Sequence, residues 1–252
     1  MKRMRKLFRL ALRLGCLLAV VLAVGMLFEH MAVEPALATV GEEPNHQPPL
    51  IAMPREVQKP EKPAVDPDDW RLKLVNKWTP LENDFKVETV EIERGYWFDA
   101  RAADKLTAML DGCRAAGLHP LICSAYRTAE YQTGLFDKQV RKQESFGLSG
   151  EEAVAAAGEV VAAPGTSEHQ LGLAADICSM DYQFLDEGQK QTAEYQWLRQ
   201  HCAEYGFILR YPPDSTEITG IIYEPWHFRY VGEEAAAYIM AEGITLEEFL
   251  QQ

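Results

Sequence analysis

The sequence predicts an α+β fold, with helices packed on an antiparallel sheet. Two observations predict it. From Trp70 onward, helical periodicity dominates first, and short apolar strands with brief connections follow later. The regular strand–helix–strand alternation of a doubly wound parallel sheet is not what the pattern shows. Length sets the scale: 252 residues, 47% apolar and 25% charged, suit one domain of about 150–200 residues plus extras. Average Pro (14) and Gly (17) exclude a collagen, and the composition excludes a coiled coil or wholesale disorder.

Each element follows from a local signal. Asp99 is placed to cap a helix with the apolar stripe Ala102, Leu106, Met109, Leu110 and Cys113, which Gly117 ends. His119–Ala125 reads as a strand. Thr128 caps a second helix through Tyr131, Leu135, Phe136 and Val140. Ser149 and Glu152 form a capping-box pattern opening an Ala-rich helix that stops at Pro164-Gly165. Leu171–Cys178 reads as a buried strand, and Gln189–Tyr205 as a helix ending at Gly206. Phe207–Tyr211, Thr219–Tyr223 and Trp226–Val231 read as strands, the first two joined by Pro212-Pro213-Asp214. Two short helices close the chain, the last opened by a capping box of Thr245 and Glu248.

The N-terminus reads as an address rather than a part of this fold. Residues 1–13 are basic, and Leu14–Phe28 is an unbroken apolar run. That pattern marks a secretory signal peptide, with a late cleavage site at Ala36-Leu37-Ala38, or an N-terminal membrane anchor from about Leu14 to Val33. Either way residues 1–38 place the remainder outside the membrane. Residues 39–69 are rich in Pro, Glu, Lys, Gln and Asp and read as a disordered spacer. Residues 70–252 are the expected functional domain.

Charge narrows the partners. The whole chain carries −13, but residues 1–38 carry +4 and the rest −17. So acidic a body is a poor partner for phosphate backbones, so nucleic-acid binding is not expected. A monomer is expected. Beyond Cys16 there are four cysteines, Cys113, Cys123, Cys178 and Cys202, which an exported domain would hold as up to two disulfides or as buried free thiols.

Six histidines are present, and two have chemical company. His30 and His46 lie in the leader and spacer; His119 and His201 read as surface or packing residues. His169 lies in Gly165-Thr-Ser-Glu-His-Gln-Leu-Gly-Leu-Ala-Ala-Asp176, where Asp176 interrupts an apolar strand. A buried carboxylate is costly unless paired or metal-bound. His227 lies in Glu224-Pro-Trp-His-Phe-Arg-Tyr230, where Pro225 makes Glu224 and His227 an extended or turn pair, not a helical one. Two imidazoles and a carboxylate suffice for catalytic zinc, and a further carboxylate can serve as base. From spacing alone, two unrelated histidines and an Asp bonded to backbone amides remain the open alternative.

Three segments occur together and in order: Ser124-Ala-Tyr-Arg127; Ser167-x-His169-x-x-Gly172-x-Ala174-x-Asp176; and Glu224-x-Trp226-His227-x-Arg229. This set resembles the signature of the VanY-type D-alanyl-D-alanine carboxypeptidases, zinc peptidases related to D,D-dipeptidases and L,D-carboxypeptidases. Flanking segments are similar too: Leu74–Leu81, Tyr131-Gln132, Phe207-x-x-Arg210-Tyr211-Pro212, Thr219-Gly220-Ile221 and Tyr230-Val-Gly232. The likeness covers about 70–245. Ala125 stands where many relatives carry Gly; no catalytic position departs.

The resemblance implies a hedgehog/D,D-peptidase-like zinc fold with one Zn²⁺ held by His169, Asp176 and His227. It implies Glu224 as general base and acid, assisting attack by zinc-bound water, and Arg127 as contact to substrate oxygen and stabiliser of the oxyanion. Ser167 and Gln132 are candidate donors to a substrate's terminal carboxylate. Tyr126 and Trp226 are candidate pocket-lining aromatics. Arg210 and Arg229 are candidates either for pairing with a carboxylate or for binding substrate. The implied substrate is the C-terminal D-alanine of a peptidoglycan stem peptide ending in D-Ala-D-Ala, reached outside the membrane. The alternatives are an L,D-carboxypeptidase acting on tetrapeptide stems and a non-catalytic wall-binding module of the same fold.

Overall fold

A computed structural model describes residues 59–66 and 68–251. The expected signal or anchor over 1–38 lies outside these residues, as does most of the expected spacer. Among the described residues, no helix is long and apolar enough to cross a membrane. The last part of the spacer has partners: Lys59 pairs with Glu242, and Val65 packs beside Leu246 and Phe249.

The first strands form a hairpin that the sequence reading did not assign. β1 (Thr89–Glu93) pairs antiparallel with β2 (Tyr96–Asp99) around Arg94 and Gly95, whose φ angles are 53° and 80°. Tight two-residue hairpin turns require positive φ at these positions. Asp99 therefore ends a strand and does not cap the next helix. That helix, α1, runs Ala103–Ala115 with Ala102 at its N-cap, and Gly117 follows it at φ 80°. The Asp99 carboxylate instead takes the Arg101 amide and guanidinium.

β3 (Pro120–Ser124) leads to α2 (Ala129–Ser145), capped as expected by Thr128, whose hydroxyl accepts from the Tyr131 amide at 3.2 Å. α3 spans Gly150–Gly158, and Ser149 makes no side-chain cap bond, so the expected capping box is not formed. The helix also stops at Gly158, well before Pro164-Gly165.

A 3₁₀ turn, Glu168–Leu171, precedes β4 (Ala174–Ser179), so the expected strand starts three residues late. The Gln189–Tyr205 segment is a chain of three pieces: 3₁₀ Glu187–Gln191, α4 (Ala193–His201) and 3₁₀ Cys202–Tyr205. β5 is Phe207–Leu209. The expected strand Thr219–Tyr223 is not a strand. One helical turn, α5 (Thr216–Thr219), ends in Gly220 at φ 80°, and the Thr219 hydroxyl donates to a nearby carbonyl. β6 (His227–Tyr230), α6 (Glu233–Glu242) and α7 (Leu246–Gln251) complete the chain. The Thr245–Glu248 capping box is formed in both directions.

The α+β expectation holds. Four strands form one antiparallel sheet in the order β3-β4-β6-β5. Strand side chains alternate faces, and this separates packing from chemistry. Ala175 and Ile177 of β4, Phe207 and Leu209 of β5, and Phe228 and Tyr230 of β6 enter the main core with Leu106, Met109 and Leu110 of α1. Asp176, His227 and Arg229 therefore share the opposite face. Each fully buried large apolar side chain on the core side contributes about 1.5–3 kcal/mol of transfer free energy. Ile208 faces a second cluster with Ala236, Ile239, Leu246 and Phe249. Cys113, Cys123, Cys178 and Cys202 are free thiols, three of them buried.

Candidate metal centre and active site

Strand register builds the centre. Asp176 and His227 are direct antiparallel partners, and Ser124 stands opposite Asp176 on the other side. His169 arrives from the 3₁₀ turn before β4, which Gly172 closes at φ 75°. A β-carbon on Gly172 would lie 3.2 Å from the Asp99 nitrogen, so the turn needs glycine for conformation and for space. The Arg127 amide donates to the His169 carbonyl at 3.1 Å, tying the loop after β3 to the same turn.

His169, Asp176 and His227 are all buried, and one ligand atom from each lies within 4.8 Å of the others. His169 Nε2 is 3.3 Å from Asp176 Oδ2, and its Nδ1 contacts the Ala125 carbonyl at 2.7 Å. His227 Nδ1 is 3.1 Å from Asp176 Oδ1. The rings meet edge to face with centroids 4.9 Å apart. Two imidazoles and one carboxylate, converging with room for a further ligand, are the donor set of a catalytic zinc. Of the described residues, these three are the group able to hold a metal ion.

Electrostatics agree with that use. Burial disfavours charge on His169 and lowers it to about 4, leaving a neutral ring ready to ligate. Burial also penalises the charge on Asp176, but the neighbouring imidazoles and Arg127 outweigh it and hold the carboxyl well below its usual range. For His227, burial is outweighed by hydrogen bonds to Asp176 and Glu168, which raise it to about 9. In the metal-free protein this ring carries a proton where a cation would otherwise satisfy the carboxylates.

Glu224 stands beside the trio. The turn at Pro225-Trp226 closes with the His227 amide donating to the Glu224 carbonyl at 3.2 Å. Glu224 Oε2 lies 3.6 Å from His227 Nδ1. Burial pushes its carboxyl up to about 8, near the working range of a proton carrier. Arg127 approaches from the other side, with Nη2 2.7 Å from Asp176 Oδ2 and Nε on the Ser124 hydroxyl at 2.7 Å.

A cavity of about 970 Å³ opens on these groups. Arg127, Ser167, His169, Asp176, Glu224, Trp226 and His227 line it, with Leu135, Val161 and Ile221 on its walls. Two of the expected substrate contacts lie elsewhere. Gln132 is fully buried, and its amide is spent on Arg127 Nη1 (3.3 Å) and the Ala162 carbonyl (2.7 Å), so it braces Arg127. Tyr126 faces a separate cleft with Leu81, Phe85 and Gln170. Arg210 and Arg229 are completely buried and both bind Glu168, which rules out substrate binding and leaves the pairing role. The sequence reading missed Glu168 and Tyr211, whose ring packs 4.7 Å from that of His227. A partial signal was there: Arg229 lies in the buried strand β6 and Arg210 directly follows β5, and a buried arginine calls for an anion without saying which.

The family model described as VanY, D-alanyl-D-alanine carboxypeptidase, matches residues 96–233. The chain belongs to the VanY family. It is 43% identical over 191 residues to the D-alanyl-D-alanine carboxypeptidase of Enterococcus faecalis (strain ATCC 700802 / V583), covering 75% of this chain and 69% of that protein. A variant of the vancomycin resistance D,D-pentapeptidase VanY in complex with Zn(II) matches with TM-score 0.66 and 43% identity, over 72% of this chain and 99% of that one. VanYB in complex with D-alanine-D-alanine matches with TM-score 0.67 and 42% identity, over 73% and 99%. The expected family, zinc-peptidase fold, carboxypeptidase class and zinc cofactor thus stand. The VanY match spans all three motifs, from the hairpin strand β2 to the start of α6.

Proposed function

We propose that this chain removes the C-terminal D-alanine from peptidoglycan stem peptides ending in D-Ala-D-Ala. One observation carries the reading: a buried His169–Asp176–His227 set, with Glu224 and Arg127 flanking it, opens on one cavity. Zinc held by these three residues supplies Lewis acidity toward the scissile carbonyl and lowers the pKa of water.

The chain's own groups do the rest. Glu224 takes the proton from the attacking water and returns it to the departing amine of D-alanine. Its carboxyl sits in a buried site that favours the protonated form, so proton return is built in. The Arg127 charge pulls the other way and favours the ionised form that the start of the cycle needs. Arg127 carries a permanent charge and is braced by Ser124, Gln132 and Asp176, so its fork is preset for the developing oxyanion. Leu135, Val161 and Ile221 exclude water and accept methyl groups, which suits alanine side chains. Ser167 and Trp226 line the same space and are the proposed contacts to the substrate's end.

The basic and apolar leader supports export, with the domain outside the membrane on an anchor or released after Ala38. There it would meet stem peptides as a monomer.

The test is D-alanine release by the 252-residue chain from a pentapeptide ending in D-Ala-D-Ala and from the matching tetrapeptide. Release from the pentapeptide that needs zinc, stops with chelator and is lost in Glu224→Ala is the expected result. Release from the tetrapeptide alone would replace this reading with L,D-specificity. No release from either by zinc-loaded protein would overturn both.

A further inference from the structure

Glu168 is a buried carboxylate that the reaction above does not use. Its side chain has no solvent exposure, and its two oxygens divide their work. Oε1 accepts from Arg210 Nε and from Arg229 Nη1, each at 2.7 Å. Oε2 faces His227 Nε2 at 3.4 Å. Both guanidiniums are themselves held. Arg210 forks onto Glu247 at 2.8 and 2.7 Å, and Arg229 donates to the carbonyls of Tyr230, Arg71 and Lys73. Two arginines and two carboxylates balance in charge without His227. The carboxylate is therefore clamped, and one oxygen is left aimed at a metal-site ring.

An imidazole has two nitrogens, and the partner of one decides which is free to ligate. The two histidines are locked in opposite senses. His169 spends Nδ1 on the Ala125 carbonyl and turns Nε2 to Asp176. His227 turns Nδ1 to Asp176 and Nε2 to Glu168. Both rings thus present one nitrogen to a single point.

We propose that Glu168 is a positioning residue for the zinc site: by accepting the Nε2–H of His227 it holds Nδ1 as the ligating nitrogen. This rests on the zinc-peptidase reading above. The competing role is a buried charge staple that only holds the fold.

Glu168→Gln separates the two roles. The Gln oxygen stays on the two arginines, which need an acceptor, and its NH₂ turns toward His227. A donor then faces Nε2, and the ring is driven to carry its proton on Nδ1, where it cannot ligate. Glu247→Gln is the control: it weakens the same buried network but does not face His227.

The measurements use the 252-residue chain: zinc affinity by chelator competition, and melting in the presence of EDTA. The expected result is zinc binding weakened about 10–100-fold in Glu168→Gln but not in Glu247→Gln, with similar losses in metal-free melting. Equal zinc affinity in the two variants would overturn the proposal and leave the staple. If Glu168→Gln does not fold, the ring nitrogens of His227 in the zinc-loaded wild-type chain decide by ¹⁵N–¹H correlation. A protonated Nε2 with ligating Nδ1 is expected, and the reverse overturns it. Failure of the unmodified chain to bind zinc would overturn the metal reading, and this proposal with it.

Discussion

Asp176 on β4 and His227 on β6 stand directly opposite each other, with Oδ1 and Nδ1 3.1 Å apart. A one-residue slip of either strand would send its member of the pair to the apolar face and part the two. The metal centre is thus a consequence of sheet pairing, and it inherits the rigidity of the sheet.

Asp176→Asn removes the anionic ligand while keeping its volume. It also replaces the anionic partner of Arg127 at 2.7 Å with a neutral amide. Zinc affinity should fall by more than the roughly 100-fold that loss of an outer carboxylate costs, and D-alanine release should fall with it. Metal content after dialysis checks this. A variant that keeps its zinc would refute the ligand assignment.

Much of this site is readable from the chain, and the limits are physical. The three motifs single out His169, Asp176, His227, Glu224 and Arg127 because imidazoles, carboxylates and a guanidinium stand there at short fixed spacings. Thr128 and Thr245 declare their helices because capping is local chemistry. The β1–β2 hairpin does carry a signal, Val90 and Ile92 alternating with Thr89, Glu91 and Glu93 before Arg94-Gly95, but the strand is short, Val90 is exposed and the register is irregular between Glu91 and Glu93. Thr219–Tyr223 carried strand-like residues, but the left-handed Gly220 and the bonds of the Thr219 hydroxyl bend it. The two arginines call for an anion, but nothing local points to Glu168, because Arg210 and Arg229 lie 42 and 61 residues away in sequence.

Arg127→Lys should lower kcat by about 10²–10³-fold, the usual cost of losing one preset oxyanion donor, with a smaller change in KM. An ammonium cannot hold Ser124, Gln132 and Asp176 together as the fork does. Steady-state kinetics on the pentapeptide decide it. A raised KM with unchanged kcat would move Arg127 to ground-state binding of the terminal carboxylate.

The metal-free chain should lose stability as pH rises from about 6.5 to 9. His227 is raised from 6.5 to about 9 because hydrogen bonds to Asp176 and Glu168 outweigh its burial, and its contribution is full below 6.5 and lost through about 9. Glu224 is raised by burial from 4.5 to about 8, so its contribution is likewise lost as pH rises through about 8. Both act in the same direction in this window. Melting in EDTA should fall by about 5 °C or more between the two ends. Zinc should flatten the slope, because the cation takes the place of the His227 proton. A flat profile without metal would show that His227 is neutral there.

Gly172→Ala tests how far the site depends on its backbone. The residue sits at φ 75°, and a β-carbon would press on the Asp99 backbone at 3.2 Å. Its amide and carbonyl link His169 to Asp99, so strain at this point is passed to a metal ligand. The substitution should cost about 1–3 kcal/mol. For a domain of this size that is a drop of about 2–4 °C in melting temperature per kcal/mol. Zinc affinity should weaken as well, because the turn that carries His169 must shift. Melting and chelator competition on one preparation test both. A lower melting temperature with unchanged zinc affinity would mean that the turn yields on its Asp99 side and leaves His169 in place.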